Sequence, residues 1–156
     1  MKILLAVTES ASSESAVEEV RTRCWPPNTT VRVLHLVEKF VPPAQQLWYD
    51  AGGSLERAKE ELSEHYRELT DRIAKQLQEA GLSVETIVRD GNPKKAIVAT
   101  AKDWSADLIV MGSPGHSGIA GLLLGNTAQS VMRHAQYLVE IVPSRRKRLV
   151  TQHLHE

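Results

Sequence analysis

The sequence predicts an α/β fold, an open parallel sheet of five strands with helices on both of its faces. Three observations predict it. Short apolar strand-like runs alternate with helical patterns along the chain, which is the signature of βαβ units. The second run, Thr30 to Val37, carries Val31, Val33, Leu34, Leu36 and Val37 and reads as a strand buried on both sides. The fourth run stops at a glycine segment, Gly112, Ser113, Pro114, Gly115, which leads after nine residues to Gly125, Asn126 and Thr127 at the start of a helical pattern.

The elements follow in order. Lys2 to Thr8 is the first strand; Met1 to Val7 is apolar but lacks the long core and small-residue cleavage site of a signal sequence. Ser10, Ser12 and Ser13 offer N-caps for a helix with Ala16, Val17, Val20 and Cys24 on its apolar face, stopped by Pro26 and Pro27. After the second strand, Glu38 to Gly53 is the longest irregular stretch, with Pro42, Pro43, Gly52 and Gly53 as breakers. Leu55, Ala58, Leu62, Tyr66, Leu69, Ile73 and Leu77 then recur at helical spacing and predict a long helix from Ser54 to Ala80, ended by Gly81. Leu82 to Arg89 is the third strand. Asn92 and Pro93 pair a capping side chain with a proline suited to the first helical position, and Ala96, Ile97, Thr100, Ala101 and Trp104 form the inner face of the helix they open. Strand Asp107 to Gly112, a helix from Asn126 to His134 with Ala128, Val131, Met132 and Ala135 inward, and strand Tyr137 to Val142 complete the series. Residues 1–144 form one domain, and 145–156 a polar tail bearing Arg145, Arg146, Lys147 and Arg148.

Composition narrows the classes of function. Nineteen basic residues balance nineteen acidic ones, so no global charge steers the chain to nucleic acid or an acidic membrane. No apolar run approaches the roughly 20 residues of a membrane span. One cysteine, Cys24, precludes an internal disulfide and points to a reducing, cytoplasmic compartment.

Open parallel sheets bind ligands beyond the carboxyl ends of their strands, where strand order reverses. With the first and fourth strands adjacent there, Thr8 and Gly112 flank one crevice. Glycines let backbone N–H groups approach a ligand, and a helix N-terminus adds unpaired donors and a positive dipole end. The segment therefore suits a phosphate. The competing reading of Gly112 and Gly115 is a tight turn needing positive φ. Neither G-x-x-x-x-G-K-[ST] nor G-x-G-x-x-G is present.

What is present, Gly112, two residues, Gly115, nine residues, Gly125 and Asn126, resembles the motif of the universal stress protein family, G-x2-G-x9-G-[ST]. The resemblance covers nearly the whole chain: Val7 to Ser10 after the first strand, Gly91 to Pro93, Ala106 to Met111, and Val131 to Ala135 all match. It implies a Rossmann-like sheet (adenine nucleotide alpha hydrolase-like) of order 3-2-1-4-5 and a homodimer formed through the last strand, Tyr137 to Val142. It also implies an ATP site, with Mg²⁺ or Mn²⁺ as the accompanying ion. Adenosine would lie against Ala6, Val7, Thr8, Leu36 and Val37; Gly112, Gly115, Gly125, Asn126 and Thr127 would hold phosphates, and Met111 would complete the nucleotide site. Three departures bear on it. Thr8 stands where ATP-binding members carry aspartate. Asn126 replaces Ser or Thr, leaving it as a helix cap or an amide donor with Thr127 beside it. Between Gly115 and Gly125, where a basic residue is common, only His116 is titratable, and Gly118 and Gly121 read as packing or loop residues.

Other candidates carry less. His35 reads as a core histidine, His65 as solvated, His134 as a cation suited to a helix C-terminus, and His153 and His155 as a tail pair lacking a third metal ligand. Trp48 and Tyr49 either cover the crevice or pack their own loop. Glu140 interrupts the last strand, either to block wrong edge pairing or to meet Arg145 across a dimer. No residue has the setting of a general base or nucleophile, so binding with at most slow hydrolysis is expected. Two functions remain: a nucleotide-binding stress-response regulator, and a nucleotide-independent dimeric interaction module. An adenylyl-transferring enzyme is disfavoured, because no H-x-G-H or S-G-G-x-[DS] loop occurs.

Overall fold

A computed structural model describes residues 1–37, 53–113 and 125–144. Its elements are β1 (Lys2–Ala6), α1 (Ala11–Thr22), β2 (Thr30–Val37), α2 (Ser54–Glu79), β3 (Ser83–Asp90), α3 (Pro93–Trp104), β4 (Leu108–Ser113), α4 (Asn126–His134) and β5 (Leu138–Pro143). The five strands form one parallel sheet of order β3-β2-β1-β4-β5, as expected. The chain winds outward from β1 in one direction and from β4 in the other, so strand order reverses between these two neighbours.

Each face of the sheet has its own core. On one face Ile3, Leu5, Val31, Val33 and Val110 pack under Val17 and Val20 of α1 and Leu69, Ile73 and Leu77 of α2. On the other, Leu4, Leu34, Ile109 and Met111 pack under Ile97 and Ala101 of α3 and Ala128 and Val131 of α4. Alternate strand residues supply the two cores because side chains alternate across a strand. Each fully buried Leu, Ile or Val contributes roughly 1.5–3 kcal/mol, so most of the stability of the fold lies in these two layers.

Local signals end the helices where expected, with some corrections. Gly81 adopts a left-handed φ of 91° after α2, where its N–H donates to the Gln78 carbonyl (2.9 Å) and that of Leu82 to the Leu77 carbonyl (3.2 Å). Asn92 caps α3 by accepting from the Lys94 N–H at 2.9 Å. β1 stops two residues early because the Thr8 N–H turns away to the Ser13 hydroxyl at 2.6 Å. Cys24 is not on the face of α1: that helix ends at Thr22, Arg23 is extended, and Cys24 is exposed. Met132 also faces outward, 49% exposed. In α2 the stripe is buried only from Leu69 onward; Leu55, Leu62 and Tyr66 are half-buried and Ala58 exposed. Trp104 is half-buried, with Arg32 (4.4 Å) and Lys2 (5.5 Å) over its ring.

Arg145 lies outside the described residues, and Glu140 has a partner within the chain that the sequence did not suggest. It pairs with Arg23 beyond the end of α1 (Nη1 to Oε2 2.7 Å), and Arg23 also binds Glu19 at 2.6 Å and stacks 4.8 Å from Trp25. Among the described residues no helix is long and apolar enough to cross a membrane.

Candidate functional site

The cleft at the reversal of strand order has a volume of about 410 Å³. Its floor is apolar: Ala6 and Val7 at the end of β1, Leu34 and Leu36 of β2, Met111 of β4 and Ile97 of α3. Its rim is the starts of three helices, with Ser10, Ser12 and Ser13 from α1, Pro93 from α3, and Gly125, Asn126 and Thr127 from α4. Helix starts carry unpaired N–H groups and the positive end of the dipole, so three of them raise the potential of a cleft whose described lining residues carry no formal charge.

A hydroxyl network closes the β1 side. Thr8 Oγ1 lies 2.8 Å from Ser10 Oγ, which lies 3.1 Å from Ser12 Oγ and accepts from the Ser13 N–H at 3.2 Å as the N-cap of α1. On the other side the Gly125 N–H donates to Ser113 Oγ at 3.5 Å and the Ser144 N–H to the Ser113 carbonyl at 3.2 Å, tying the start of α4 and the end of β5 to β4. The cap of α4 is Gly125, with no side-chain bond; Asn126 is the first helical residue rather than the cap, which leaves its amide free of a capping role.

Of the residues expected at a site, Ala6, Val7, Thr8, Leu36, Met111, Gly112, Gly125, Asn126 and Thr127 all line this cleft. Val37 does not, because it is one residue from Leu36 and so faces the other side of the strand. Gly115, Gly118, Gly121, His116, Trp48, Tyr49, the tail arginines, His153 and His155 lie outside the described residues. Ser10, Ser12, Ser13, Leu34, Pro93 and Ile97 also line the cleft, and no site role for them follows from the sequence pattern. Leu34 was within reach of the pattern, two residues from Leu36 and paired with Ala6. The serines read only as caps, and nothing local shows that α1 starts over the end of β4.

Gly112 explains that start. It is not among the described glycines with positive φ, so the tight-turn reading does not apply. It is glycine because α1 begins directly over it: a Cβ at this position would fall within 2.8 Å of the Ser13 amide nitrogen and closer still to the Ser12 carbonyl.

Glu9, next to Thr8, belongs to a different cleft. It pairs with His65 of α2, which is therefore a partnered rather than a merely solvated histidine. Both line a groove of about 620 Å³ between α1 and α2 that shares Thr8, Ser10 and Ser13 with the first. Beneath them, buried His35 donates from Nδ1 to the Val7 carbonyl (2.9 Å) and stacks on Tyr66 at 3.9 Å. The carbonyl can only accept, which fixes the tautomer. Burial pushes the His35 pKa down, outweighing the Val7 hydrogen bond and the Glu9 charge that raise it; the nearby His65 lowers it further. His134 bonds back to the Ser130 carbonyl at 2.8 Å in the last turn of α4. Among the described residues, no three His, Cys, Asp or Glu side chains gather as a metal site would need.

The universal stress protein family model matches residues 1–143. The universal stress protein MJ0531 of Methanocaldococcus jannaschii is 36% identical over 97 residues, 62% of this chain and 57% of that relative. The match thus spans little more than half of that relative's length, and the same holds for two further relatives, at 54% and 52%. Among solved structures, MJ0577 of the same organism superposes with a TM-score of 0.75 at 26% identity, over 93% of this chain and 96% of that one. A universal stress protein in complex with cAMP (TM-score 0.60, 21% identity, 93% and 98% covered) shares the fold. So does one from Arabidopsis thaliana with AMP bound (0.61, 18%, 97% of each chain).

Proposed function

The chain belongs to the universal stress protein family, and from that premise we propose that it is a cytoplasmic regulator that binds an adenine nucleotide, with ATP the ligand the family motif implies, in the cleft between Ala6 and Gly112. The observation that carries this reading is the meeting of three helix N-termini over an apolar floor at the point where strand order reverses. An adenine ring suits the floor of Ala6, Leu34, Leu36, Ile97 and Met111, and phosphate suits the N–H groups at Ser12, Asn126 and Thr127. Gly112, Gly125 and, by its place in the motif, Gly115 complete the phosphate side. A reducing compartment suits the single exposed thiol of Cys24.

A second reading is a dimeric interaction module that needs no nucleotide. It draws support from Gly112, whose lack of a side chain is already accounted for by Ser12 and Ser13 without a ligand. In both readings we assign the dimer contact to β5, whose Leu138 is 71% exposed on an edge strand.

Denaturing the purified protein and analysing the supernatant for adenine nucleotides, alongside calorimetric titration with ATP and magnesium, separates the two. Released nucleotide or saturable heat supports the first. Neither, at millimolar ATP, leaves the second.

A further inference from the structure

Building on the nucleotide reading, we infer that His35, on the opposite face of the sheet from the cleft, is a positioning residue for the nucleotide. Its imidazole holds the peptide unit between Val7 and Thr8, and that peptide walls the cleft. β1 pairs with β2 as far as Ala6 and Leu34, and its last bond to the sheet runs from the Val7 N–H to the Leu34 carbonyl at 2.9 Å. The next peptide is held at both of its polar groups by side chains. Its carbonyl, that of Val7, accepts from His35 Nδ1 at 2.9 Å, and its N–H, that of Thr8, donates to Ser13 Oγ at 2.6 Å. Because a peptide unit is planar, two bonds at its opposite ends fix its orientation.

That orientation is what the cleft receives. Val7 lines it while packing its side chain in the core under α1 and α2, so Val7 borders a ligand with its main chain. Thr8 follows directly, and its hydroxyl opens the row that runs on to Ser10. The holding group is itself immobilised: His35 is 5% exposed and lies against Tyr66 of α2, ring centres 3.9 Å apart and planes 28° apart. Val7 is 2% exposed, and a buried carbonyl deprived of its donor must turn to find another. A binding wall works only when held within about 0.5 Å of its productive place. The Glu9–His65 pair, about half exposed on both sides, holds only a side chain that lines the neighbouring groove.

Calorimetry on the full chain tests this with AMP and with ATP plus magnesium. For whichever binds wild type more tightly, His35→Leu is expected to weaken binding at least about fivefold. His35→Asn is expected to stay within about twofold of wild type, because the asparagine amide nitrogen stands as many bonds from Cβ as Nδ1 does and can donate to the same carbonyl. His65→Gln is also expected to stay within about twofold, with circular dichroism confirming each fold. In the wild-type protein, the nuclear magnetic resonance signal of the His35 Nδ1–H, identified by its loss in His35→Asn, is expected to shift when nucleotide saturates the cleft. That measurement decides the matter even where His35→Leu does not fold. Full affinity in a folded His35→Leu protein, no rescue by asparagine, or a signal that bound nucleotide leaves unmoved overturns the inference and leaves the nucleotide reading intact. A loss in His65→Gln as large as that in His35→Leu places the hold in α2 and overturns it as well. No binding of either nucleotide to wild type overturns both.

Discussion

Gly112 and Ser12 sit so close that the end of β4 and the start of α1 form one continuous wall of the cleft. A methyl group on Gly112 would fall within 2.8 Å of the Ser13 amide nitrogen and nearer still to the Ser12 carbonyl. Those are backbone atoms of a capped helix, so relief requires α1 itself to move. Gly112→Ala is therefore expected to destabilise the protein by about 1–3 kcal/mol, the usual cost of overpacking. Urea unfolding should show the midpoint fall with an unchanged slope. A midpoint equal to wild type would mean that α1 yields freely, and the packing explanation for this glycine would be lost.

Ser10 serves α1 and the cleft together, as N-cap and as the middle of the hydroxyl row. Ser10→Ala should cost about 1 kcal/mol of stability. It should also weaken any nucleotide that the cleft binds, whereas Asn92→Ala should cost similar stability with less effect on binding. Equal binding losses in the two variants, measured by calorimetry, would show that the row does not touch the ligand.

Arg23 joins α1 to β5 through Glu140 while stacking on Trp25. The pair is about one third exposed on both sides, which limits its worth. A double-mutant cycle between Arg23→Ala and Glu140→Gln should give a coupling of about 0.5–1 kcal/mol. The arginine change should cost more than the glutamate change, since it also removes the Glu19 pair and the ring contact. The reverse order of costs would contradict the geometry.

His35 makes stability depend on pH with a definite sign. In the folded chain, burial holds its imidazole below the ordinary value. As pH falls through about 6.5 the unfolded chain takes up a proton that the folded chain refuses, so the folded state loses stability. Wild type should thus lose more in Tm between pH 7.5 and pH 5.5 than His35→Gln does. The Glu9–His65 pair is common to both proteins and cancels in the comparison. Parallel losses in the two would remove His35 as the cause.

The β5 edge should support a dimer, and Leu138→Lys should break it. Sedimentation at tens of micromolar checks both. A wild-type monomer refutes the assignment of the contact to β5.

Much of this was legible in the sequence because it follows from local chemistry. The bounds of Thr30–Val37 and of Asn126–His134, the Gly81 stop and the Asn92–Pro93 start depend on residues close along the chain, and all appear as expected. The motif resemblance supplied the strand order. What went unread depends on residues far apart in sequence. Arg23 finds Glu140, and Glu9 finds His65, only once the sheet has set α1 beside β5 and α2 beside the end of β1. Cys24 was misplaced because its helical spacing continued past the point where the chain had become extended at Arg23. Val37 was included where strand alternation alone should have excluded it.

The cleft also has a mechanical consequence. α1 rests on one core of the sheet, α3 and α4 on the other, and the first turns of all three border the cleft. First turns are where helices fray, since their leading N–H groups have no partner within the helix. A molecule lodged among them would fasten three loose ends at once and couple the two layers across the sheet. Amide hydrogen exchange would register it as slowed opening on both faces together, so that occupancy of one small cleft becomes a property of the whole domain.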